Sequence, residues 1–469
     1  MSIVIAAILV IAYVLIATGR VTNVNRAAVA MFAGTVGWVL YICYGTDFVL
    51  TQHPREFADF LAGVQPNAEN VKVFISQNIF LNYVGKGAEI ALFLLATMTI
   101  VEILNNNGCF DFLSELLRTR SSKKMLWTIS IVTFVISANL DNLTTTTMML
   151  VVMHKILANR RQRIVYGSAI VLAANCGGAL TVIGDPTGLM LWSNNAIDAS
   201  NFSTYLALPC VTSLILPIWW LGRTLPERVE TQNITMPYRG DDTNLNRWQR
   251  MLMLFVGIGG LWFIPTFHNI TKLSPFLGAL CVLSVLWIVN EIVNRKLMDV
   301  DKMIQRSVPR VLQYGVIQMV LFVLGIMLAI SVVIETGVVA PVTQFCDSTI
   351  HNVWIIGGMS AVFSSFLDTF ATSMSFFSLH PIIDEAHLAM FLDADYLKDF
   401  ARNGMYWKIL AYSSAMGGNF FLIGSVSGLA LMKMERIHIG WYFKNAGWIS
   451  ILAWIMGLFL MWGMTFVMK

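Results

Sequence analysis

Charge is what this sequence has least of: only 12% of its 469 residues are Asp, Glu, Lys or Arg, about half the share in a soluble globular domain. An ordinary soluble enzyme, a disordered chain and a nucleic-acid binder are excluded on that ground. Paired cysteines are missing as well. Cys43, Cys109, Cys176, Cys210, Cys281 and Cys346 stand singly, with no C-x-x-C spacing, which indicates neither a zinc site nor a disulfide framework. They read as small apolar packing residues. What the chain has in abundance is apolar surface, 57% of residues at a mean hydropathy of +0.68. That is enough for at most about thirteen helical spans of ~20 residues. The fold class is therefore an all-α polytopic membrane protein.

Simple apolar runs fall at 2–18, 27–44, 87–104, 205–221, 250–265, 273–290, 313–335 and 445–465, each near the ~17–25 residues of a span. The opening MSIVIAAILVIAYVLIATGR has no basic n-region ahead of its apolar run and is expected to be a retained first span. Two further stretches, 164–193 and 406–432, are apolar at both ends but interrupted by GGALTVIGDPTG and GGNFFLIGSVSG. Non-helical backbone at membrane depth is tolerated only against protein or a water-filled cavity, so both read as broken helices around a site. Between Lys124 and Lys155 a run containing SANLDNLTTTT is too long for one upright span and too short for two. It is expected to be a re-entrant hairpin, 125–157, opening to the basic, cytoplasmic side. A second hairpin, 353–379 around SSFLDTFATS, has acidic and histidine flanks and is expected to open outward.

About ten crossings plus two re-entrant hairpins put 23 of the 31 basic residues inside and 8 outside, which places both termini outside by the positive-inside rule. The implied units are 1–86, N-terminal scaffold helices and an outer loop; 87–221, a first repeat; 222–312, linker and scaffold; and 313–469, a second repeat. Ser137 to Asp141 (S-x-x-L-D) recurs at Ser364 to Asp368, an offset of 227, and Gly177 to Leu189 recurs at Gly417 to Leu429, an offset of 240. Phe93, Leu95, Met98 and Gly108 recur as Phe322, Leu324, Met327 and Gly337 at 229. Because the hairpins open to opposite sides, the repeats are inverted, an arrangement of secondary transporters with the site at the repeat interface.

An ionisable group in a membrane interior costs at least ~2.5 kcal/mol and is presumptively functional. Asp141, Asp185 and Asp368 meet that description. Asn139, Asn142 and Thr144 to Thr147 surround the first, Asn175, Thr181 and Thr187 the second, and Thr369, Thr372, Ser373 and Ser375 the third, with Asn419, Ser425 and Ser427 in the second break. Carboxylate, amide, hydroxyl and freed carbonyl oxygens are what a hard cation needs in place of water, although helix capping also explains individual threonines. Desolvation raises the pKa of a carboxylate, so at such a group proton and sodium would compete for the same oxygens. Competition at one site facing the two sides alternately suffices for exchange. Glu102 and Glu335, at span ends, read as solvated.

SANLDNLTTT, AANCGGALTVIGDPTGLMLW and AMGGNFFLIGSVSGLALMK with WYFK downstream resemble NhaD-type sodium/proton antiporters of the ion transporter superfamily. The resemblance implies a bacterial inner-membrane, multi-pass homodimer of inverted repeats with an elevator-like movement, no cofactor, and Na+ or Li+ and protons as its partners. It carries functional positions onto Asp141, Asn142, Thr144, Asn175, Asp185, Thr187, Asp368, Ser425 and Ser427. The sequence departs from the family pattern at Thr369-Phe370-Ala371, at Asn419, where a serine is usual, at Asn105 to Asn107, and in a long polar stretch from His380 to Lys408. The alternative is a sodium-coupled symporter of a carboxylate or other anion, with helix N-termini holding the anion. Asp141 and Asp185 would repel such a ligand, and no buried Arg or Lys is expected near either site. An intramembrane aspartyl protease would need glycine where Val182 stands before Gly184-Asp185, so no enzyme activity is expected.

Overall fold

A computed structural model describes residues 1–22, 24–62, 65–117, 119–229, 245–294, 316–384 and 393–467. Part of the expected linker (230–244), the basic stretch 295–315 and part of the His380 to Lys408 stretch (385–392) lie outside these residues. Among the described residues the chain is helical, with no strand beyond two isolated bridges. In chain order the helices that matter are α1 (Ser2–Ala17), α2 (Arg26–Cys43), α3 (Leu81–Asn106), α4 (Ser122–Asn139), α5 (Asn142–Ile156), α6 (Arg160–Gly178), α7 (Pro186–Ser193) and α8 (Ala199–Leu221). They continue with α9 (Arg247–Thr271), α10 (Pro275–Asn294), α11 (Val316–Glu335), α12 (Val353–Phe366), α13 (Thr369–Phe377), α14 (Met405–Phe421), α15 (Val426–Glu435) and α16 (Trp448–Val467).

Eight helical stretches are long and apolar enough to cross a membrane, Arg26–Cys43, Ala68–Asn106, Ala199–Leu221, Arg247–Thr271, Pro275–Asn294, Val316–Glu335, Met405–Glu435 and Ile439–Phe466. The expected span 2–18 is helical but only 16 residues long as α1. The outer loop expected before residue 87 is instead largely helical, with Gly45–Gln52, Pro54–Leu61, Ala68–Phe74 and a π-helical turn, Ile75–Phe80, running into α3. Polar residues interrupt the apolar ones there and hide the helices. Phe48 stacks on Tyr41 of α2, and Phe57 meets Phe74 edge-on in the same buried cluster as Trp38 and Tyr41, and that tertiary burial outweighs weak local propensity.

The breaks have local causes. Asp185 is extended, as the residue before a proline must be, and its side chain caps α7 with Pro186 at the first position. Asp141, Asp368 and Ser425 cap α5, α13 and α15 in the same way, each accepting a backbone N–H of the helix it opens. At the end of α14 the turn is made by Leu422 at φ +63°.

The two sequence repeats make matching contacts. Ser137 Oγ donates to Ala174 O at 2.7 Å, and Ser364 Oγ donates to Ser414 O at 2.6 Å. A Cβ on Gly177 would stand 2.3 Å from Phe134 O, and one on Gly417 would stand 2.2 Å from Ala361 O, so at both places only glycine lets the backbones approach. Gly108 and Gly337 share a left-handed φ of +67° and +73°. Tyr166 of α6 donates to Ser122 O, where α4 begins, and Arg163 donates to Ala158 O, just past the end of α5. The α4–α5 pair thus leaves and rejoins the same end of α6, its tip against Gly178. Tyr406 reaches Phe376 O and Gly357 meets Ile409, so α12–α13 does the same at the start of α14.

Arg160, at the start of α6, donates to Glu435 O at the end of α15, and Asn403, before α14, donates to Ala196 O just past α7. The two broken helices therefore run antiparallel. They cross where Cys176 Sγ lies 3.7 Å from Met416 Sδ.

Candidate functional site

Four helix starts, those of α5, α7, α13 and α15, converge on the crossing. In the first half, Asp141 Oδ2 accepts Thr144 N and Thr144 Oγ1, both at 2.8 Å, while its Oδ1 is buried without a hydrogen-bond partner. Asn142 Nδ2 donates to Asp185 Oδ2 at 3.3 Å, and Asp185 Oδ1 accepts Thr187 N at 3.0 Å. Asp141 and Asp185 are each 4% exposed.

In the second half Asp368 Oδ1 accepts Phe370 N at 3.0 Å, Thr369 Oγ1 donates to Gly424 O at 3.2 Å, and Ser425 Oγ accepts Gly428 N at 3.0 Å. Three of the bonds that join the halves lie among these residues. Asn175 Nδ2 donates to Asn419 Oδ1 at 2.8 Å, Thr187 Oγ1 to Ser373 Oγ at 3.1 Å, and Ser427 Oγ to Asn142 O at 3.2 Å. The eleven residues singled out from the sequence, Asp141, Asn142, Thr144, Asn175, Asp185, Thr187, Asp368, Thr369, Asn419, Ser425 and Ser427, thus lie at the helix starts and breaks around the crossing, with Asn175 and Asn419, Thr187 and Ser373, and Ser427 and Asn142 bonded between the halves.

Buried polar atoms are normally satisfied, yet Asp141 Oδ1, Thr145 Oγ1, Thr146 Oγ1 and Asn175 Oδ1 have no partner. Unpartnered buried oxygens in the half that carries two buried carboxylates suit a hard cation better than an anion. Among the described residues no group of three His, Cys, Asp or Glu side chains forms a transition-metal site.

Three expectations need correction. The sequence counts Arg26 among the basic residues on the inner side and marks no Arg or Lys for the site, but Arg26 Nη1 lies 4.0 Å from Asp368 Oδ2 and its Nη2 donates to Ile423 O at 3.4 Å. Lys408, one of the 8 basic residues that the positive-inside count puts outside, is buried in α14 with its ammonium 4.0 Å over the Tyr205 ring. Basic side chains are therefore present beside the second half-site and along its broken helix. Glu335 is not solvated: it is 6% exposed and holds His53 Nε2 and Tyr83 OH, each at 2.7 Å. Tyr13 of α1, which no sequence signal marks, contacts Ser375 Oγ at 2.6 Å and so touches α13.

Comparison with known proteins places this geometry in a lineage. The family profile described as "Citrate transporter" (CitMHS) matches residues 2–393. The chain belongs to the CitMHS family. Among curated relatives, "Sodium/proton antiporter 1" of Arabidopsis thaliana is 31% identical over 376 residues, 79% of this chain and 61% of the relative. This chain thus spans under two thirds of that protein's length. "Sodium/proton antiporter 2" of the same plant is 30% identical over 79% of this chain and 84% of its own length. "Na(+)/H(+) antiporter NhaD" of Vibrio parahaemolyticus is 23% identical over 78% and 87%. The resemblance to NhaD-type antiporters is thereby borne out, and this CitMHS member is a multi-pass membrane protein. The family match ends at residue 393, before the second broken helix with Asn419, Ser425 and Ser427.

Proposed function

We propose that the chain is a secondary active transporter, a sodium/proton antiporter exchanging cytoplasmic Na+ or Li+ for external H+ by alternating access. One observation carries the reading: Asp141 and Asp185 are two buried carboxylates, Asn142, the chain neighbour of the first, donates to the second, and Asp141 Oδ1 has no partner. A cation or a proton completes that set, and either neutralises charge that would otherwise oppose movement through a bilayer. Asp141, Asn142, Thr144, Asn175, Asp185 and Thr187 hold the ion, with Asp141 and Asp185 as the sodium carboxylates. Asp368, Thr369, Asn419, Ser425 and Ser427 complete the site from the second half. No catalytic residue and no cofactor enter the cycle.

The architecture proposed with it is ten crossings with two re-entrant hairpins, in inverted repeats at 87–221 and 313–469. The matched contacts at offsets of 227 and 240 and the antiparallel broken helices support that division. The basic residues Arg160 and Arg163 at the open end of the first helix pair support its facing the cytoplasm, with both termini outside. An inner-membrane homodimer moving as an elevator belongs to the same proposal, and the likeness to NhaD-type antiporters supports it.

Reconstitution into liposomes with a trapped pH dye tests the proposal. A sodium pulse drives proton flux in wild type and not in Asp141→Asn. Absence of sodium-, lithium- or potassium-dependent flux between about pH 6 and about pH 9 would favour the competing reading, sodium-coupled symport of a carboxylate. One observation speaks for that reading: Arg26 places a guanidinium beside the second helix-pair tip.

A further inference from the structure

The second half-site holds a positive charge that belongs to the chain itself. Asp368 is the counterpart of Asp141 at an offset of 227, and Ile423 is the counterpart of Ile183 at 240. The Arg26 guanidinium lies between these two, 4.0 Å from the carboxylate and 3.4 Å from the carbonyl of the break, and Nη1 has no hydrogen-bond partner. A positive charge between a helix-cap carboxylate and a freed carbonyl is, chemically, where a bound sodium ion would stand. At the corresponding place in the first half, Asp141 Oδ1 is unpartnered, and no described basic residue forms an ion pair with Asp141 or Asp185. The two half-sites are alike in backbone and differ in whether their cation is built in.

Arg26 comes from neither repeat. It opens α2, which packs tightly on α11: a Cβ on Gly34 would stand 2.9 Å from Leu328, and one on Gly325 would stand 2.6 Å from Met31 N. The guanidinium is thus carried on a covalent tether by a helix packed against α11 of the second repeat. A tethered ligand competes at high effective concentration, and guanidinium sheds water more readily than an ammonium, so sodium is at a disadvantage beside Asp368.

We propose that Arg26 is a resident counter-cation that fills the second half-site, leaving the exchanger one transported-sodium site where its repeat would otherwise build two. This rests on the antiporter reading. Arg26 then sets the number of sodium ions per cycle, and Asp368 serves to hold it. A merely structural ion pair would alter stability and leave ion number untouched.

The test is the sodium dependence of proton flux in proteoliposomes. Wild type gives a Hill coefficient of about 1 for sodium, and Arg26→Gln raises it toward about 2 as Asp368 becomes open to a second ion. Arg26→Lys, which keeps the charge, and the double variant Arg26→Gln/Asp368→Asn, which removes both charges, return it to about 1. Equilibrium dialysis of radioactive sodium against wild type needs no variant to fold, and about one ion per chain is expected. Two bound ions, or an Arg26→Gln protein with the wild-type Hill coefficient, would overturn the proposal. Flux abolished by Asp141→Asn yet indifferent to Arg26→Gln defeats this inference alone. Absence of sodium-dependent flux in wild type defeats the antiporter reading and this inference with it.

Discussion

The first half-site and the second are built from the same backbone turns and diverge in their charge. Asp141 and Asp185 stand together without a basic partner, whereas Asp368 faces Arg26, and the position matching Asp185 is Ser425. A repeated scaffold therefore need not repeat its chemistry. The helix caps recur because each broken helix must satisfy its first N–H groups. The acidity is kept in one half and offset or dropped in the other.

The sharpest way to break the comparison is to neutralise the acidic half. Asp141→Asn or Asp185→Asn should lower sodium-driven proton flux by about 100-fold, a larger loss than in Arg26→Gln/Asp368→Asn, where two opposite charges leave together. Equal losses in the two halves would mean that they share the transported ion equally. Next comes the packing of the tips. A Cβ on Gly424 would stand 1.7 Å from Ser364 O, and one on Gly184 would stand 2.7 Å from Ser137 O. Both substitutions to alanine overpack, at about 1 to 3 kcal/mol or more, and thermal melting in detergent should find Gly424→Ala the less stable of the two.

A smaller contrast separates the bridging amides. Asn175 holds an unpartnered buried oxygen as well as its bond to Asn419, so Asn175→Ala should weaken sodium affinity about tenfold. Asn419→Ala should weaken it less, and sodium titrations of the two variants that superimpose would remove Asn175 from the ion's shell.

The smallest effect concerns Glu335, whose counterpart at offset 229 is Asn106. Burial by itself would lower the pKa of His53, but hydrogen bonds and charge from Glu335 and Glu56 together raise it. A raised folded value means that the bridge stabilises fully below the ordinary histidine value of about 6.5 and is lost as pH rises through the folded value. The melting temperature of wild type should therefore exceed that of His53→Gln by a few degrees at about pH 6 and converge on it by about pH 9. A gap that stays constant with pH would assign the contact to packing.

Much of this was legible in the residues. Asp141, Asp185 and Asp368 are conspicuous because a carboxylate inside an apolar run has no inexpensive explanation, and Gly177 and Gly417 because a paired glycine motif marks close backbone approach. Arg26 and Glu335 were not legible for the opposite reason. Each sits at the end of an apolar run, where a charge normally reaches water, and only the packing of α2, α3 and α11 decides that it turns inward. The helices between residues 45 and 80 were hidden by their polar composition, and a buried cluster shared with α2 holds them. Cys176 and Met416 were missed as a pair because their residue types differ.

That last contact has a bearing on ancestry. In an interface between two identical chains related by a two-fold axis, a residue on the axis meets its own copy. Cys176 and Met416 are separated by the 240 positions that relate the second breaks to the first, and their sulfurs touch. On the proposed inverted-repeat reading, they stand where one residue of a chain half this length would have faced itself across a dimer of oppositely inserted partners. On that reading, fusion into a single chain would have released that residue from having to suit itself. It would also have let Asp185 and Ser425, and Asp141 and Asp368, follow separate histories on a common frame.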